Sequence, residues 1–102
     1  MDTPKNFYEL LLMIKKYPGA FLGEKSAQKL KSFLDGFEYA MIINQKNYCI
    51  KSYTEFKKWF EKKYNIQSIE SWYDYLRRNY NEVEAFDAFF IEIEEFYKIQ
   101  MH

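Results

Sequence analysis

The sequence has little of what most catalytic and metal sites are made from. Its 102 residues include one cysteine, Cys49, and one histidine, His102. A single cysteine excludes a disulfide within the chain, and so few cysteines and histidines argue against a zinc site or a Cys–His nucleophile. His102 is the last residue, where chains are usually poorly ordered, and no glycine-rich phosphate loop is present. We therefore expect that the protein is not an enzyme and that it binds no cofactor and no metal.

Chain breakers and long apolar runs are scarce as well. Two prolines and three glycines predict few turns and long elements. No run reaches the eighteen apolar residues typical of a transmembrane helix. The start, MDTPKNFYELLLMIKKYPG, has an acid at position 2 and only a short apolar stretch, unlike a signal peptide. These absences predict a cytoplasmic protein without a membrane partner.

Aromatic residues are abundant by contrast. Ten Phe, ten Tyr and two Trp bring the aromatic fraction to 22% and the apolar fraction to 48%. That composition differs from disordered chains, which combine low hydrophobicity with high net charge. The length suits one domain spanning residues 1–102, built around one core.

Charge is balanced overall but uneven along the chain. The net charge is zero, yet residues 1–63 carry twelve lysines against seven acids, and residues 64–102 carry eight acids against three bases. The first part therefore carries a net charge of +5 and the second a net charge of −5. The two sets of charges can pair with an external partner, with each other within one molecule, or between two copies of the chain.

Helical spacing of apolar residues and capping signals predict an all-α fold of about five helices. Thr3 is the expected cap of the first helix, which Pro18-Gly19 should end. YCIK, residues 48–51, could form a short extended piece in the connector before the third helix. The second helix is expected to start at Ser26, and Ser52, Ser71 and Asn81 are the expected caps of the last three helices. The predicted helices cover 3–17, 26–44, 52–65, a short segment from 71, and 81–98.

The second predicted helix has a regular apolar stripe and one anomaly. Its buried face is expected to consist of Leu30, Phe33, Leu34, Phe37, Ala40 and Met41. Gly36 lies inside this helix, where glycine costs about 1 kcal/mol relative to alanine. We expect another backbone to pass close to it.

The last predicted helix is unusually acidic. NEVEAFDAFFIEIEE, residues 81–95, holds six carboxylates and no lysine or arginine. Steps of about 100° per residue place Glu84, Asp87, Glu94 and Glu95 on one side, with Ile91 in their midst. The opposite side should form the core: Val83, Phe86, Phe89, Phe90, Ile93, Phe96 and Tyr97.

This acidic face is the candidate binding site. The helix dipole favours acids in the first turn but disfavours Glu92, Glu94 and Glu95 near the carboxyl end. An exposed apolar residue ringed by charge is typical of protein interfaces. We therefore predict that Glu84, Asp87, Ile91, Glu94 and Glu95 bind a cationic partner. A solvated helix face and pairing with the basic half remain alternatives.

Nucleic acid is a weaker candidate partner. The lysine pairs 15–16, 57–58 and 62–63 lie among aromatic residues, as in some nucleic-acid-binding surfaces. However, the net charge is zero, and phosphates would repel the acidic helix. We expect no nucleic-acid partner.

Three stretches of the chain resemble a known group. IKKYPGAFLGEKSAQKLKSFLDGFEYA, residues 14–40, has a K-x-P-G-x-[FY]-[LI]-G-x-[KR]-S start followed by a helix containing F-L-D-G. Together with FKKWFEKKYNI (56–66) and residues 71–96, it resembles small bacterial immunity proteins of contact-dependent growth inhibition and polymorphic toxin systems. The matching positions are bulky and turn residues, so the resemblance bears on the fold more than on any binding residue.

The resemblance implies a function without catalysis. Such proteins bind and neutralise the C-terminal toxin domain of a large effector, and a nuclease toxin would present a basic cleft to the acidic face. The expected partner is thus a cognate toxin domain, bound by a monomer. The alternative is a small helical adaptor or regulatory protein that binds a cellular partner or self-associates.

Overall fold

In the computed structural model, which describes residues 3–67 and 69–100, the chain folds into six α-helices and one 3₁₀ helix. The part of the chain so described contains no strand, which confirms the all-α class. The helices are α1 (Phe7–Lys16), α2 (Pro18–Leu22), α3 (Ala27–Ile43), the 3₁₀ helix (Asn47–Cys49), α4 (Lys51–Tyr64), α5 (Trp72–Arg77) and α6 (Glu82–Gln100).

Three of the predicted helix starts are confirmed by their capping hydrogen bonds. Ser26 Oγ accepts from the Lys29 amide at 3.3 Å, before α3. Ser71 forms a reciprocal capping box with Asp74 at the start of α5. Asn81 Oδ1 accepts from the Glu84 amide at 2.8 Å, and the Glu84 carboxylate accepts from the Asn81 amide at 3.0 Å. Each cap satisfies amide groups that a helix start leaves without partners.

Two predicted starts are wrong. α1 begins at Phe7, because Asn6 rather than Thr3 is its cap and accepts from the Glu9 amide at 2.8 Å. α4 begins at Lys51 without a side-chain cap, one residue before the expected cap Ser52. The Ser52 hydroxyl instead lies 2.7 Å from the Tyr97 hydroxyl of α6.

The connectors also differ from expectation. Pro18 does not end helical structure but occupies the first position of the short helix α2, where its missing N–H costs nothing. Gly23 ends α2 with φ of 85°, a conformation that favours glycine. The YCIK segment is not extended, because residues 47–49 form the 3₁₀ helix that leads into α4.

The core is aromatic and centres on α6. Phe56 of α4 contacts the rings of Phe89 and Phe96 at centroid distances of 5.3 and 5.7 Å. Trp72 of α5 packs on Phe89 at 4.5 Å. Most of the predicted apolar stripes are buried, but Val83 lies outside the core with 47% of its surface exposed. The buried apolar positions are Phe7, Leu10, Leu11, Ile14, Ala27, Leu30, Leu34, Ile50, Tyr53, Phe56, Phe60, Trp72, Leu76, Ala85, Phe86, Phe89, Phe90, Ile93 and Phe96.

α3 departs from its prediction at two positions. Ala40 is exposed, so the buried stripe is narrower than expected. The expectation of a backbone packed against Gly36 is wrong: a Cβ built there would meet no described atom within 4 Å. Gly36 therefore faces open space in this molecule.

One carboxylate joins three helices. Glu82, at the start of α6, accepts from the Gln28 amide of α3 at 2.9 Å and from Arg77 Nε of α5 at 2.9 Å. It also accepts a hydrogen bond from the Tyr73 hydroxyl. Burial acts to raise the pKa of the Glu82 carboxyl, but the bonds from Tyr73 and Gln28 and the charge of Arg77 outweigh it and lower the pKa.

This pKa shift predicts a loss of stability in acid. A lowered folded-state pKa adds stability above the unfolded value, and this contribution is lost as pH falls through the folded value. The melting temperature of Glu82→Gln should therefore lie below that of the wild type at pH 7, and the gap should close below the ordinary value of 4.5. Thermal melts by circular dichroism from pH 7 to pH 3 measure the gap. Glu24→Gln, at an exposed carboxylate, is the control, and a pH-independent gap for Glu82→Gln would contradict the assignment.

Candidate functional site

The predicted acidic face lies on the solvent side of α6. Ile91, at its centre, exposes 68% of its surface. Asp87 lies one turn before Ile91, and Glu94 and Glu95 lie one turn after it, so helical geometry places all three beside it. Glu84, Asp87 and Glu95 are exposed, and Glu94 is half-buried. The structure thus brings the five predicted residues onto one helix face.

Most of the carboxylates on this face have lysine partners within the molecule. Asp87 pairs with Lys25 at 2.8 Å, Glu94 with Lys15 at 2.5 Å, and Glu95 with Lys63 at 2.7 Å. Glu84 instead bonds the amide of Asn81. The charge asymmetry along the sequence is therefore at least partly closed within one chain.

The ion pairs of Glu94 and Asp87 are both open to water. In the Lys15–Glu94 pair the side chains are 48% and 39% exposed, and in the Lys25–Asp87 pair 40% and 57%. Exposed pairs of this kind contribute only about 0–1 kcal/mol, because water and salt screen them and two long side chains must be ordered. Asp87 and Glu94 can therefore exchange these lysines for another cation at little cost.

Glu92 has a structural role that was not predicted from the sequence. It is 8% exposed and faces α4, where Lys63 Nζ lies 2.9 Å away and the Tyr64 hydroxyl donates to it. Its position could have been read from spacing, because Ala85, Phe89, Glu92 and Phe96 follow one another at helical intervals of four, three and four. Glu92 belongs to the joint between α4 and α6 rather than to the acidic face.

The pKa values of the two partners reflect this joint. Partial burial acts to lower the pKa of the Lys63 ammonium, but hydrogen bonds to Glu95 and Glu92 outweigh it and raise the pKa. Burial, reinforced by the bond to Glu92, raises the pKa of the Tyr64 hydroxyl. Lys63 therefore stays charged and the Tyr64 hydroxyl stays neutral. Both can then keep donating hydrogen bonds to Glu92, which suits a structural contact between α4 and α6.

The part of the chain that the structure describes also forms concave surfaces away from the acidic face. A groove of about 810 Å³ runs between the start of α1, the end of α3 and the start of α4, with Phe7, Leu10, Phe37 and Met41 among its lining residues. A smaller, polar cleft of about 400 Å³ lies where α3 and α4 meet the loop before α5. In it the Trp72 indole donates to the Tyr53 hydroxyl at 3.1 Å, which donates to Asp35 at 2.8 Å. Burial raises the pKa of Tyr53, so this hydroxyl remains a donor rather than becoming a base.

Residues suited to metal binding or nucleophilic chemistry are dispersed. Cys49 is half-buried at the wall of the apolar groove. His102 lies outside the described residues. Within residues 3–67 and 69–100, no three His, Cys, Asp or Glu side chains converge as they would around a metal ion. No helix of that described part combines the length and apolar character needed to cross a membrane.

Comparison with known proteins assigns no family. No protein-family model, no curated protein and no solved structure matches the chain.

Proposed function

We propose that the protein is a cytoplasmic immunity protein that binds and neutralises the C-terminal toxin domain of a contact-dependent inhibition or polymorphic toxin effector. The observation that carries the proposal is Ile91, a large apolar side chain that is 68% exposed on a helix face surrounded by acids. Interfaces concentrate their binding energy in such central apolar residues and surround them with polar groups that exclude water.

The charges on this face suit a cationic partner. Asp87 and Glu94 are tied only to partly exposed lysines of α1 and of the loop before α3. A toxin that acts on nucleic acid carries basic residues for phosphate contacts. Those residues can replace Lys15 and Lys25 as partners of the acids, while Ile91 enters an apolar site. Attraction between opposite charges also raises the association rate at low salt.

Ile91→Ala tests this face with little risk to the fold. Because Ile91 is largely exposed, the variant should keep its melting temperature but lose about tenfold or more in toxin affinity, as expected for a central contact. Calorimetric titration of the purified toxin domain measures the loss. Glu94→Lys with Glu95→Lys is a poorer test, because it also sets lysines against Lys15 and Lys63 inside the molecule.

Ile69→Ala is the matched control. Ile69 is 95% exposed in the loop between α4 and α5, at the rim of the polar cleft. Its replacement should leave toxin affinity unchanged. If Ile69→Ala weakens binding while Ile91→Ala does not, the contact surface lies around the polar cleft instead of the acidic face.

Co-expression tests the function itself. The C-terminal part of the open reading frame immediately upstream is expressed with and without this protein, and growth is followed. Growth arrest by the fragment alone, with rescue and co-purification when both are present, is the expected result. A harmless fragment, or failure of rescue when both proteins are abundant, would count against an immunity function.

The apolar groove favours a second candidate, a small helical adaptor. Its volume and its lining, which includes Phe37 and Met41, fit an amphipathic helix from a partner. Tyr48, 75% exposed at its wall, can be changed without disturbing the core. If toxin rescue fails, Tyr48→Glu tests the adaptor function. This variant should no longer bind a helical partner, whereas Ile91→Ala should still bind it.

A further inference from the structure

The apolar groove also has polar lining residues that the adaptor function does not require. Its apolar lining comes from α1 and α3 and includes Phe7, Leu10, Phe37 and Met41. Polar side chains join it from the segment before α1 and from the first turns of α4. Ligand pockets combine largely apolar walls with a few placed polar groups, in volumes of about 300–1,000 Å³. At about 810 Å³, the groove has the size and the composition of such a site.

Two hydroxyl groups in this lining bond each other. Ser52 Oγ and Tyr97 Oη lie 2.7 Å apart, so one of their two protons is used in this bond and the other is left to donate. Burial raises the pKa of the Tyr97 hydroxyl, so both groups keep their protons at neutral pH. Among the described residues the pair has no second acceptor. It therefore offers one O–H donor to a ligand in the groove.

The start of α4 adds positive charge and further donors. The Lys51 ammonium is 74% exposed and lies 3.8 Å from the Glu55 carboxylate, which is a loose ion pair. α4 begins without a side-chain cap, and the amides of Lys51 and Ser52 have no acceptor among the described residues. Unpaired amides in a first turn favour an anion. With Lys5, the groove lining holds two ammonium groups against one carboxylate, so its charge is positive.

We propose that the groove binds a free fatty acid, with its carboxylate at the start of α4 and its hydrocarbon chain against Phe7 and Phe37. A carboxylate accepts several hydrogen bonds at once. It therefore matches the free donor of the Ser52–Tyr97 pair, the first-turn amides and the Lys51 ammonium. Burial of the chain drives binding, and the polar lining selects the head group.

An anionic amphiphile suits this groove better than a neutral or a cationic one. A cation would meet two ammonium groups and the amides of a helix start. A neutral molecule would leave donors unpaired once water is displaced. The proposal gives the groove a different occupant from the partner helix of the adaptor candidate. It is independent of toxin binding, because none of the five residues of the acidic face lines the groove.

Three probes with the same chain and different head groups test the ligand: decanoate, decanol and decylammonium. Calorimetric titration with the protein as titrant keeps each probe dilute and free of micelles, and it measures each dissociation constant. Decanoate should bind about tenfold or more tightly than decanol, as charge-assisted hydrogen bonds require. Decylammonium should not bind measurably. High salt should reduce the difference between decanoate and decanol.

Variants of exposed residues test the place of binding without disturbing the core. Lys51→Met keeps a side chain of similar length and removes its charge, so decanoate should bind about tenfold more weakly while decanol binding stays unchanged. Lys58→Met is the matched control, because Lys58 is also an exposed lysine of α4 but does not line the groove. Tyr48→Glu places a carboxylate on the wall of the groove and should also weaken decanoate binding.

Equal binding of the three probes, or no saturable binding of decanoate, would overturn the proposal. So would decanoate binding that survives both Lys51→Met and Tyr48→Glu. If decanoate does not bind but Tyr48→Glu loses a helical protein partner, the groove belongs to that partner instead. Lys51→Met should rescue growth from the toxin as the wild type does, so failure of this proposal and failure of the immunity function give different results.

Discussion

Phe56→Ala should lower the free energy of unfolding by about 3–5 kcal/mol, the range for removal of a fully buried phenylalanine. Phe56 is completely buried and contacts the rings of Phe60, Phe89 and Phe96, so it joins two turns of α4 to α6. Its removal leaves a cavity that three rigid rings cannot close. Since small domains are stable by about 5–15 kcal/mol in total, the variant should be partly unfolded at moderate urea concentrations.

Urea unfolding followed by tryptophan fluorescence measures this loss, because Trp59 and Trp72 both lie in or against the core. Tyr48→Ala is the control: Tyr48 is also aromatic but 75% exposed, and its loss should change stability by no more than about 0.5 kcal/mol. A loss below about 1 kcal/mol for Phe56→Ala would mean that the core around α6 is not packed as described.

Lys63→Ala should lower stability by about 2 kcal/mol, although Lys63 itself is exposed. The cost arises on the other side of the pair, because Glu92 is 8% exposed and would be left with the Tyr64 hydroxyl as its described partner. Glu92 is buried although Lys63 is exposed, and removing the partner of a buried charge costs more than the pair contributes. The raised pKa of Lys63 keeps this contribution complete at neutral pH, and it is lost only as pH rises beyond the ordinary lysine value of 10.5.

The double variant Lys63→Met with Glu92→Leu distinguishes a stranded charge from lost packing. It removes both charges and keeps similar volume, so most of the stability should return. Lys15→Ala, in the exposed pair with Glu94, should cost at most about 1 kcal/mol. Equal losses for Lys63→Ala and Lys15→Ala would contradict the distinction between the structural joint and the acidic face.

Local signals in the sequence predicted much of the fold. The capping residues Ser26, Ser71 and Asn81 fix helix starts through hydrogen bonds to amides three residues away, so their effect is contained in the sequence itself. Ser52 failed because Ile50, 1% exposed, anchors the chain in the core and α4 begins directly after it. Tertiary packing overrode the capping signal there.

The candidate site was only partly predictable. Helical geometry alone places Ile91 among acids, and the structure agrees. The partners of those acids depend on contacts between distant segments: Lys15 and Glu94 are 79 residues apart in sequence. Local spacing could show that Glu92 follows the apolar stripe, but it could not show that Lys63 would meet it.

The central position of α6 has a consequence for the synthesis of the protein. α6 supplies Phe86, Phe89, Phe90, Ile93 and Phe96 to the core, yet the ribosome makes it after the other five helices. Until it has emerged, the nascent chain cannot bury the aromatic faces of α4 and α5 and depends on chaperones or on speed to avoid aggregation. Because the same helix carries the acidic face, a chain cut short before α6 would have neither a complete core nor that surface. The aromatic core is therefore completed and the acidic face formed at the same stage of synthesis.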